Sequence, residues 1–219
     1  MNEFIVHTIP GSPYARAVLV TLEEKRAPYR IAPLAPGQHK APEHLSRHPF
    51  GRMPVLEHGN FQLYETQAIQ RYIDRVVPTP PLSPQDPRAV ARMDQLLNIS
   101  DWYLFQGVAN VIVFQRVIGP RVLGLTPNEK AIASAMPQAH LVFAELARLL
   151  GDKPFFGGDA VSLADLMLAP QLDFFSVISE WDALTAERSA LRSWLARMNS
   201  RPSMARTAWE RVATMAKAA

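Results

Sequence analysis

The stretch Pro78-Thr-Pro-Pro-Leu-Ser-Pro-Gln-Asp-Pro87 divides this chain of 219 residues into two parts with different sequence patterns. Five of its ten residues are proline, which lacks a backbone N–H donor and restricts both itself and the preceding residue to a few extended conformations. A regular helix or a central strand cannot run through such a segment. We therefore predict a linker over residues 78–87, with a domain on each side of it.

The residues before the linker, 1–77, alternate between strand and helix patterns. Ser12 followed by Pro13 predicts the start of a helix that runs to about Arg26. Thr66 is expected to cap a second helix, which ends near Val76. Short apolar runs bounded by turn residues predict four strands, at Phe4–Thr8, Tyr29–Leu34, Pro54–Glu57 and Phe61–Tyr64. With a short helix before the third strand, the order βαβ-α-ββα indicates a small α/β domain.

The residues after the linker, 88–219, carry helical patterns throughout. Apolar side chains recur with a period close to 3.6 and predict one long helix from Arg88 to about Ile118. Two capping boxes, Thr126–Glu129 and Ser162–Asp165, predict two more helix starts, and the first of these has Pro127 at its first helical position. Two further helices are predicted at about 187–199 and 202–217. We therefore expect an all-helical second domain.

Composition excludes several classes of protein. Hydrophobic residues make up 48% of the chain, which is enough for a buried core. The net charge of +3 is spread along the chain and does not indicate a nucleic-acid-binding tail. The N-terminal residues show no targeting signal, and no apolar run reaches the roughly 18 residues of a membrane helix. We expect a cytoplasmic protein that binds neither nucleic acid nor membranes.

The chain contains no cysteine. Disulfide frameworks, zinc–thiolate sites and a cysteine nucleophile are therefore excluded. Any sulfur chemistry that this protein performs must use the thiol of a substrate.

Ser12 stands at the predicted strand-to-helix turn, in the sequence Pro10-Gly11-Ser12-Pro13-Tyr14. A hydroxyl at this place lies at the positive end of a helix, where negative charge on a bound group is favoured. The residue is equally well explained as a simple helix cap. A serine hydrolase fits less well, because no Gly-X-Ser-X-Gly motif surrounds the residue.

Two other segments could hold a peptide-like ligand. Glu65 and Thr66 lie at the second strand-to-helix junction, where a backbone amide could bind a carboxylate and the Glu65 side chain an ammonium group. Met53 precedes Pro54 and a strand, so this bond is a candidate cis peptide. In that arrangement Met53 could present its own backbone groups to a ligand.

Three histidines are candidate binding residues. His44 and His48 are one helical turn apart, but no third metal ligand is evident, so we expect solvated side chains and no metal. His39 and Lys40 form a basic pair in a loop after the second strand. Such a pair is either solvated or, beside a bound carboxylate, an anion clamp.

In their order along the chain, these pieces resemble the cytosolic glutathione S-transferases over essentially the whole sequence. The matching motifs are Ser12–Val18, Gly37–Lys40, Pro49–Leu56, Glu65–Ile69 and, in the helical part, Ser162–Asp165. The resemblance is strongest to serine-type members, such as the phi and theta classes and many bacterial homologues. It implies a thioredoxin-like domain that binds glutathione over residues 1–77, followed by an all-helical domain over residues 88–219 that forms a hydrophobic substrate site.

The resemblance also implies roles for individual residues. Ser12 would donate its hydroxyl proton to the glutathione sulfur, with Tyr14 as an alternative donor. His39 and Lys40 would hold the glycine carboxylate, the Met53 backbone the cysteinyl unit, and Glu65 with Thr66 the γ-glutamyl end. Arg52 occupies a position where phi members commonly have glutamine, and Thr66 replaces a more usual serine; both keep their hydrogen-bonding capacity.

The function implied is activation of the glutathione thiol as a thiolate for attack on a hydrophobic electrophile, with glutathione as co-substrate. Tyr14, Tyr103, Gln106 and Asn110 are candidate wall residues for the electrophile, between the Ser12 loop and the long helix. Conjugation, isomerisation, dehalogenation and peroxide reduction all stay open. The alternative is a non-catalytic scaffold of the same fold that binds a protein partner. A homodimer is implied in either case.

Overall fold

The computed structural model describes residues 3–35 and 37–218, which form two compact units. The first unit contains the described residues up to Ser83 together with those from Ser200 onward, and the second spans Pro84–Asn199. The change of unit at Ser83–Pro84 lies inside the predicted linker. None of the described helices has both the length and the apolar character that crossing a membrane requires.

The first unit is built on a four-stranded mixed sheet with the order β2-β1-β3-β4. Strand β1 is parallel to β2 and antiparallel to β3, which pairs with β4 as a hairpin. All four predicted strands are present, with ends shifted by no more than one residue. The elements of the first unit are β1 (Phe4–Thr8), α1 (Pro13–Lys25), β2 (Tyr29–Pro33), α2 (Pro42–Arg47), β3 (Val55–His58), β4 (Phe61–Tyr64), α3 (Thr66–Val76), α11 (Pro202–Arg206) and α12 (Trp209–Ala218).

Apolar residues from strands β1, β2 and β3 and from helices α1, α3 and α12 form the core of this unit. Alternate residues of β1, Phe4 and Val6, are fully buried, as expected for a strand with one face toward helices. The cluster is completed by residues of α1, β2, β3, α3 and α12 and of the turn after α1: Val18, Leu19, Leu22, Ala27, Ile31, Leu56, Ile69, Ile73 and Val212. The sequence periodicity that predicts these elements therefore also identifies most of the core.

A buried ion pair joins the end of α1 to α3 and to the linker. Lys25 Nζ lies 2.5 Å from Asp74 Oδ1, and the Lys25 side chain is completely buried. The same ammonium donates to the Pro80 carbonyl, and the Leu82 amide donates to Asp74 Oδ1 at 2.9 Å. The proline-rich segment is thus held by charge-assisted hydrogen bonds at its carbonyl and amide groups.

The second unit is helical, as predicted, but the expected continuous helix over residues 88–118 is wrong. Gln106 (ψ 124°) and Gly107 (φ 77°) leave the helical conformation inside it. Glycine tolerates a positive φ, and the Asn110 side-chain oxygen accepts from the freed Gly107 amide at 2.7 Å. The region is divided into α4 (Pro87–Ile99), a π-helical segment (Ser100–Ala109), α5 (Asn110–Val113), a second π-helical segment (Phe114–Ile118) and α6 (Gly119–Leu123).

The remaining helices of the second unit are α7 (Glu129–Leu150), α8 (Leu163–Phe175), α9 (Glu180–Thr185) and α10 (Ser189–Asn199). Helix α7 does not begin at Pro127 as expected, because Asn128 is the cap and its side chain accepts from the Ala131 amide at 3.0 Å. Helix α9 was not predicted.

The capping box at the start of α8 is confirmed, and its acidic residue does more than cap. The buried Asp165 carboxylate accepts from the Ser162 amide and hydroxyl, both at 2.9 Å, and from the Trp194 indole N–H at 2.8 Å. It also accepts from the amides of Phe156 and Gly157. Burial raises the pKa of Asp165, while these hydrogen bonds act in the opposite direction. One side chain therefore joins α8, α10 and the preceding loop.

The helix predicted over residues 202–217 is two helices, α11 and α12, and both belong to the first unit. The Arg201 guanidinium binds both oxygens of Glu24 at 2.7 Å, and Arg206 reaches Glu23 at 3.1 Å. Val212 is buried in the core of the first unit. The returning segment is thus bound to α1 through ion pairs and to the sheet through apolar contacts.

Candidate active site

Four loops meet at one end of the sheet of the first unit. Thr8 is paired with Pro33, His7 with Val55, and Val55 with Tyr64. Strands β1, β2 and β4 therefore end where β3 begins. Consequently the Ser12 turn, the loop after β2, the Met53–Pro54 segment and the Glu65–Thr66 junction all lie beside the same edge.

Ser12 is the cap of α1, and its backbone is extended (φ −75°, ψ 116°). Its side-chain oxygen accepts from the Ala15 amide at 3.2 Å, and the residue is half-buried. A serine hydroxyl has one proton to donate. Within residues 3–35 and 37–218, that proton has no acceptor, so Ser12 can cap the helix and donate to a bound group at once. Tyr14, the alternative donor, is also half-buried.

The basic pair lies in a single turn of 3₁₀ helix, Gln38–Lys40, where His39 is half-buried and Lys40 exposed. This turn packs against Gly51, which is buried and has φ 59°. A β-carbon at Gly51 would lie 2.9 Å from the His39 carbonyl oxygen and 3.1 Å from Lys40 Nζ. The absence of a side chain at Gly51 therefore brings the basic pair and the Met53 loop together.

Met53 and Pro54 are joined by a cis peptide bond, as predicted. Met53 is half-buried and Arg52 is exposed. The Arg52 carbonyl accepts from His44 Nε2 at 2.7 Å, so α2 supports this loop from beneath.

The expectation that His44 and His48 are solvated is wrong, because both are buried. The His48 ring packs on Tyr64, with 4.5 Å between ring centroids, and lies 6.4 Å from the His44 ring. Burial lowers the pKa of His48 below its ordinary value, and His44 and Arg52 act in the same direction. No cluster of three or more candidate metal ligands occurs in the described part of the chain.

At the fourth loop, Glu65 and not Thr66 occupies the cap position, and Thr66 is the first residue of α3. Glu65 is exposed with φ 73°, an uncommon conformation for a residue with a side chain. Within the described ranges its carboxylate has no hydrogen-bond or ion-pair partner. Thr66 is buried. The carboxylate is therefore available to a ligand.

His7 is a polar residue of the sheet that takes part in a network with Glu57 and Arg47. His7 Nε2 lies 2.9 Å from Glu57 Oε1, and Arg47 Nε lies 3.3 Å from the same oxygen. Burial lowers the pKa of His7, although Glu57 opposes this. The strand pattern contains no signal for the contact, which depends on the pairing of β1 with β3.

The predicted electrophile contacts in the helical part lie on the second unit, around the break in the helix. Tyr103, Gln106 and Asn110 are exposed. The Asn110 amide donates to Gln106 Oε1 at 3.4 Å, in addition to accepting from Gly107. These three residues therefore lie within or directly beside the distorted segment of the helix.

Both parts of the chain match family models. Residues 2–75 match "Glutathione S-transferase, N-terminal domain", and residues 129–197 match "Glutathione S-transferase, C-terminal domain". Among curated proteins, a probable glutathione S-transferase of Oryza sativa subsp. japonica is 34% identical over 150 residues, which cover 68% of this chain and 69% of that protein.

Solved structures agree with these matches. Glutathione transferase F2 from Populus trichocarpa superposes with a TM-score of 0.83 at 26% identity, over 99% of this chain and all of that one. Glutathione S-transferase-I, in a structure with bound lactoylglutathione, gives a TM-score of 0.83 at 25% identity, over 97% of this chain and 99% of the other. Chain topology and sequence thus point to the same group of proteins.

Proposed function

The chain belongs to the glutathione S-transferase family of enzymes, and we propose that it activates the glutathione thiol as a thiolate for attack on hydrophobic electrophiles. The observation that carries this proposal is the convergence of four loops at one end of the sheet. They supply a hydroxyl at a helix start, a basic pair, the backbone of a residue before a cis proline, and a carboxylate that has no partner among the described residues. These groups are complementary to a thiol, a carboxylate, a peptide unit and an ammonium group.

Ser12 is proposed to stabilise the thiolate by donating its proton. A cysteine-like thiol with a pKa of about 8.5 is only about 3% ionised at pH 7. Lowering that pKa to about 6.5 makes the thiolate predominant and requires about 2.7 kcal/mol. One hydrogen bond to a charged acceptor together with a helix N-terminus is of this size. The Ala15 amide already occupies an acceptor position on the Ser12 oxygen, which leaves the proton for the sulfur.

The remaining residues are proposed to bind the ends of glutathione. His39 and Lys40 hold the glycine carboxylate, the Met53 backbone holds the cysteinyl unit, and Glu65 with Thr66 holds the γ-glutamyl group. Arg52 is a further residue that binds glutathione. The unpartnered Glu65 carboxylate supports the last of these roles, because an ammonium group would satisfy it. For the electrophile, we propose contacts with Tyr14, Tyr103, Gln106 and Asn110.

The second candidate is a non-catalytic scaffold that retains the fold and binds a protein partner. A scaffold has no need for a hydroxyl proton at the start of α1 and a carboxylate at the start of α3 that find no partner in the described ranges. The arrangement of Ser12 and Glu65 therefore favours the enzyme.

Two measurements separate these candidates. Calorimetric titration with glutathione is expected to give saturable binding, and the saturated complex is expected to show thiolate absorbance at neutral pH. A panel containing an aryl halide, an epoxide, an unsaturated carbonyl and a hydroperoxide then identifies the reaction type. Binding without thiolate absorbance and without turnover of any electrophile would support the scaffold.

Four further assignments rest on the sequence resemblance and are proposed with the function. The protein is a serine-type, phi- or theta-like member of bacterial origin, it is cytoplasmic, it forms a homodimer, and it requires no metal. Light scattering tests the dimer, since a mass near the 24.4 kDa of one chain at micromolar concentration would exclude it.

A further inference from the structure

The C-terminal helix α12 places an aromatic ring directly against the turn that carries Ser12. Gly11 precedes Ser12 and has φ 85°. A β-carbon built on Gly11 would lie 2.6 to 2.8 Å from the Cζ3, Cη2 and Cε3 atoms of Trp209. Real side-chain carbons do not approach so closely, so the indole occupies the space that a side chain at residue 11 would need.

The position of Trp209 is fixed by contacts on both sides of it along the chain. Before it, Arg201 binds Glu24 through two hydrogen bonds of 2.7 Å, and the Met204 carbonyl accepts from Arg16 at 3.2 Å. After it, Val212 is buried in the core, and Met215 packs against the same cluster. The indole therefore lies in a segment that is anchored to the first unit on both sides of it.

Ser12 directly follows the glycine against which the indole packs. Its oxygen has a single hydrogen bond to a described residue, the 3.2 Å contact with the Ala15 amide. Glycine is the most conformationally permissive residue type, and Gly11 lies immediately before Ser12. A neighbouring ring that fills one side of Gly11 removes alternative conformations of the turn. Misplacing a catalytic group by about 1 Å can reduce a rate by roughly 100-fold.

We propose that Trp209 is a positioning residue, which holds the Gly11–Ser12 turn so that the Ser12 hydroxyl points to the glutathione sulfur. This inference rests on the proposed function of Ser12. Trp209 lies 197 positions after Ser12 in the sequence. It would assist thiol activation through packing and would not contact the reacting atoms.

The test compares Trp209→Ala and Trp209→Phe with Met215→Ala, which removes an apolar side chain of the same helix that packs against the core cluster. In Trp209→Ala, the thiol pKa of bound glutathione should rise and kcat at neutral pH should fall by roughly 10-fold, while the dissociation constant of glutathione changes by less than about 3-fold. Trp209→Phe should recover most of the loss. Met215→Ala should lower the melting temperature but leave the thiol pKa unchanged.

Amide hydrogen exchange in the protein without glutathione tests the same contact independently of catalysis. The Ala15 amide, which donates to Ser12, should exchange faster in Trp209→Ala and at the native rate in Met215→Ala. Unchanged Ala15 exchange in Trp209→Ala overturns the positioning role, and so does equal acceleration in Met215→Ala. Absence of thiolate in the native complex would instead contradict the proposed function, and the exchange result would still decide the role of Trp209.

Discussion

Ser12 combines two tasks in one hydroxyl group. Its oxygen accepts a backbone hydrogen bond that starts α1, and its proton is proposed to stabilise a thiolate. Substitutions must therefore be chosen to separate helix stability from thiol activation. Glycine keeps much of the helix-capping stability but has no hydroxyl, whereas threonine keeps both functions.

Ser12→Ala should reduce turnover roughly 10- to 1000-fold, with glutathione affinity within a few-fold of native, because the donor matters chiefly where negative charge develops. Ser12→Gly should lose a similar amount of turnover with less loss of melting temperature, and Ser12→Thr should retain activity. Steady-state kinetics and calorimetry of the three variants check this. If Ser12→Ala showed native turnover, the thiolate would have to be stabilised by Tyr14 or by a backbone group instead of Ser12.

Glu65 provides a second test, because its side chain is exposed and has no partner among the described residues. Glu65→Gln should weaken glutathione binding by roughly 10- to 150-fold, corresponding to about 1.5–3 kcal/mol for a lost charge-assisted hydrogen bond. The thiol pKa of the saturated complex should not change, because the γ-glutamyl end is remote from the sulfur.

Glutamine has the same backbone preferences as glutamate to a good approximation, so the left-handed conformation at residue 65 is no harder to form in this variant. The melting temperature without ligand is therefore expected to be native. Retained affinity combined with a raised thiol pKa would show that Glu65 acts on the sulfur, and the assigned division between binding and activating residues would then be incorrect.

Helix α8 offers a stability test that does not involve the site. The Asp165 carboxylate accepts five hydrogen bonds from buried or partly buried donors. Asp165→Asn would replace one oxygen by an amide that cannot accept, so two or three donors lose their partner. We expect a loss of about 3–5 kcal/mol in the free energy of unfolding.

Denaturant unfolding of Asp165→Asn measures that loss, and Trp194→Phe serves as a matched comparison because it removes one donor and leaves the carboxylate intact. The single-donor variant should be destabilised much less than Asp165→Asn. If both variants lose the same free energy, the carboxylate is not the centre of the network.

The strands and the starts of α1 and α3 in the first unit could be predicted because each depends on a short pattern. Ser12-Pro13 and the four apolar runs act locally, and the structure has them where the sequence indicates. The long helix was mispredicted because one glycine in an otherwise regular apolar pattern costs a helix little. The break at Gly107 becomes favourable only because Asn110 satisfies the freed amide.

The candidate site residues could be chosen from local sequence motifs, but many of the contacts around them could not be predicted. Glu65 and Met53 stand in recognisable local motifs. Burial of His44 and His48 was not predictable, because it depends on the packing of α2 beneath the loop and on Tyr64 of β4. No local sequence motif at Trp209 or at Gly11 predicts their contact, because neither residue is unusual within its own segment.

The buried histidines make the stability of the protein depend on pH. Burial lowers the pKa of both His7 and His48, so the folded chain binds fewer protons than the unfolded chain just below pH 6.5. The stability conferred by the neutral rings is thus complete above about pH 6.5 and decreases as the pH falls from there toward the lowered pKa values. The slope is at most about 1.4 kcal/mol per pH unit for each histidine.

Melting temperatures between pH 8 and pH 5 should therefore be level down to about pH 6.5 and then fall. The His48→Asn variant should be less stable than the native protein at pH 7.5, because a buried ring is lost. Its melting temperature should fall less steeply than that of the native protein as the pH is lowered below about 6.5. A native slope in that variant would exclude His48 as one of the groups that take up protons on unfolding.

The first unit is discontinuous, since it needs residues 200–218 as well as the residues before Pro84. During synthesis on a ribosome, the sheet and α1 emerge early, but Val212, Trp209 and the partners of Glu23 and Glu24 follow only after the second unit has been translated. At roughly 5–20 residues per second, the nascent unit stays incomplete for on the order of 10 s. The apolar surface that α12 covers is exposed to solvent in the meantime, so the first unit cannot reach its full stability until α12 has been synthesised.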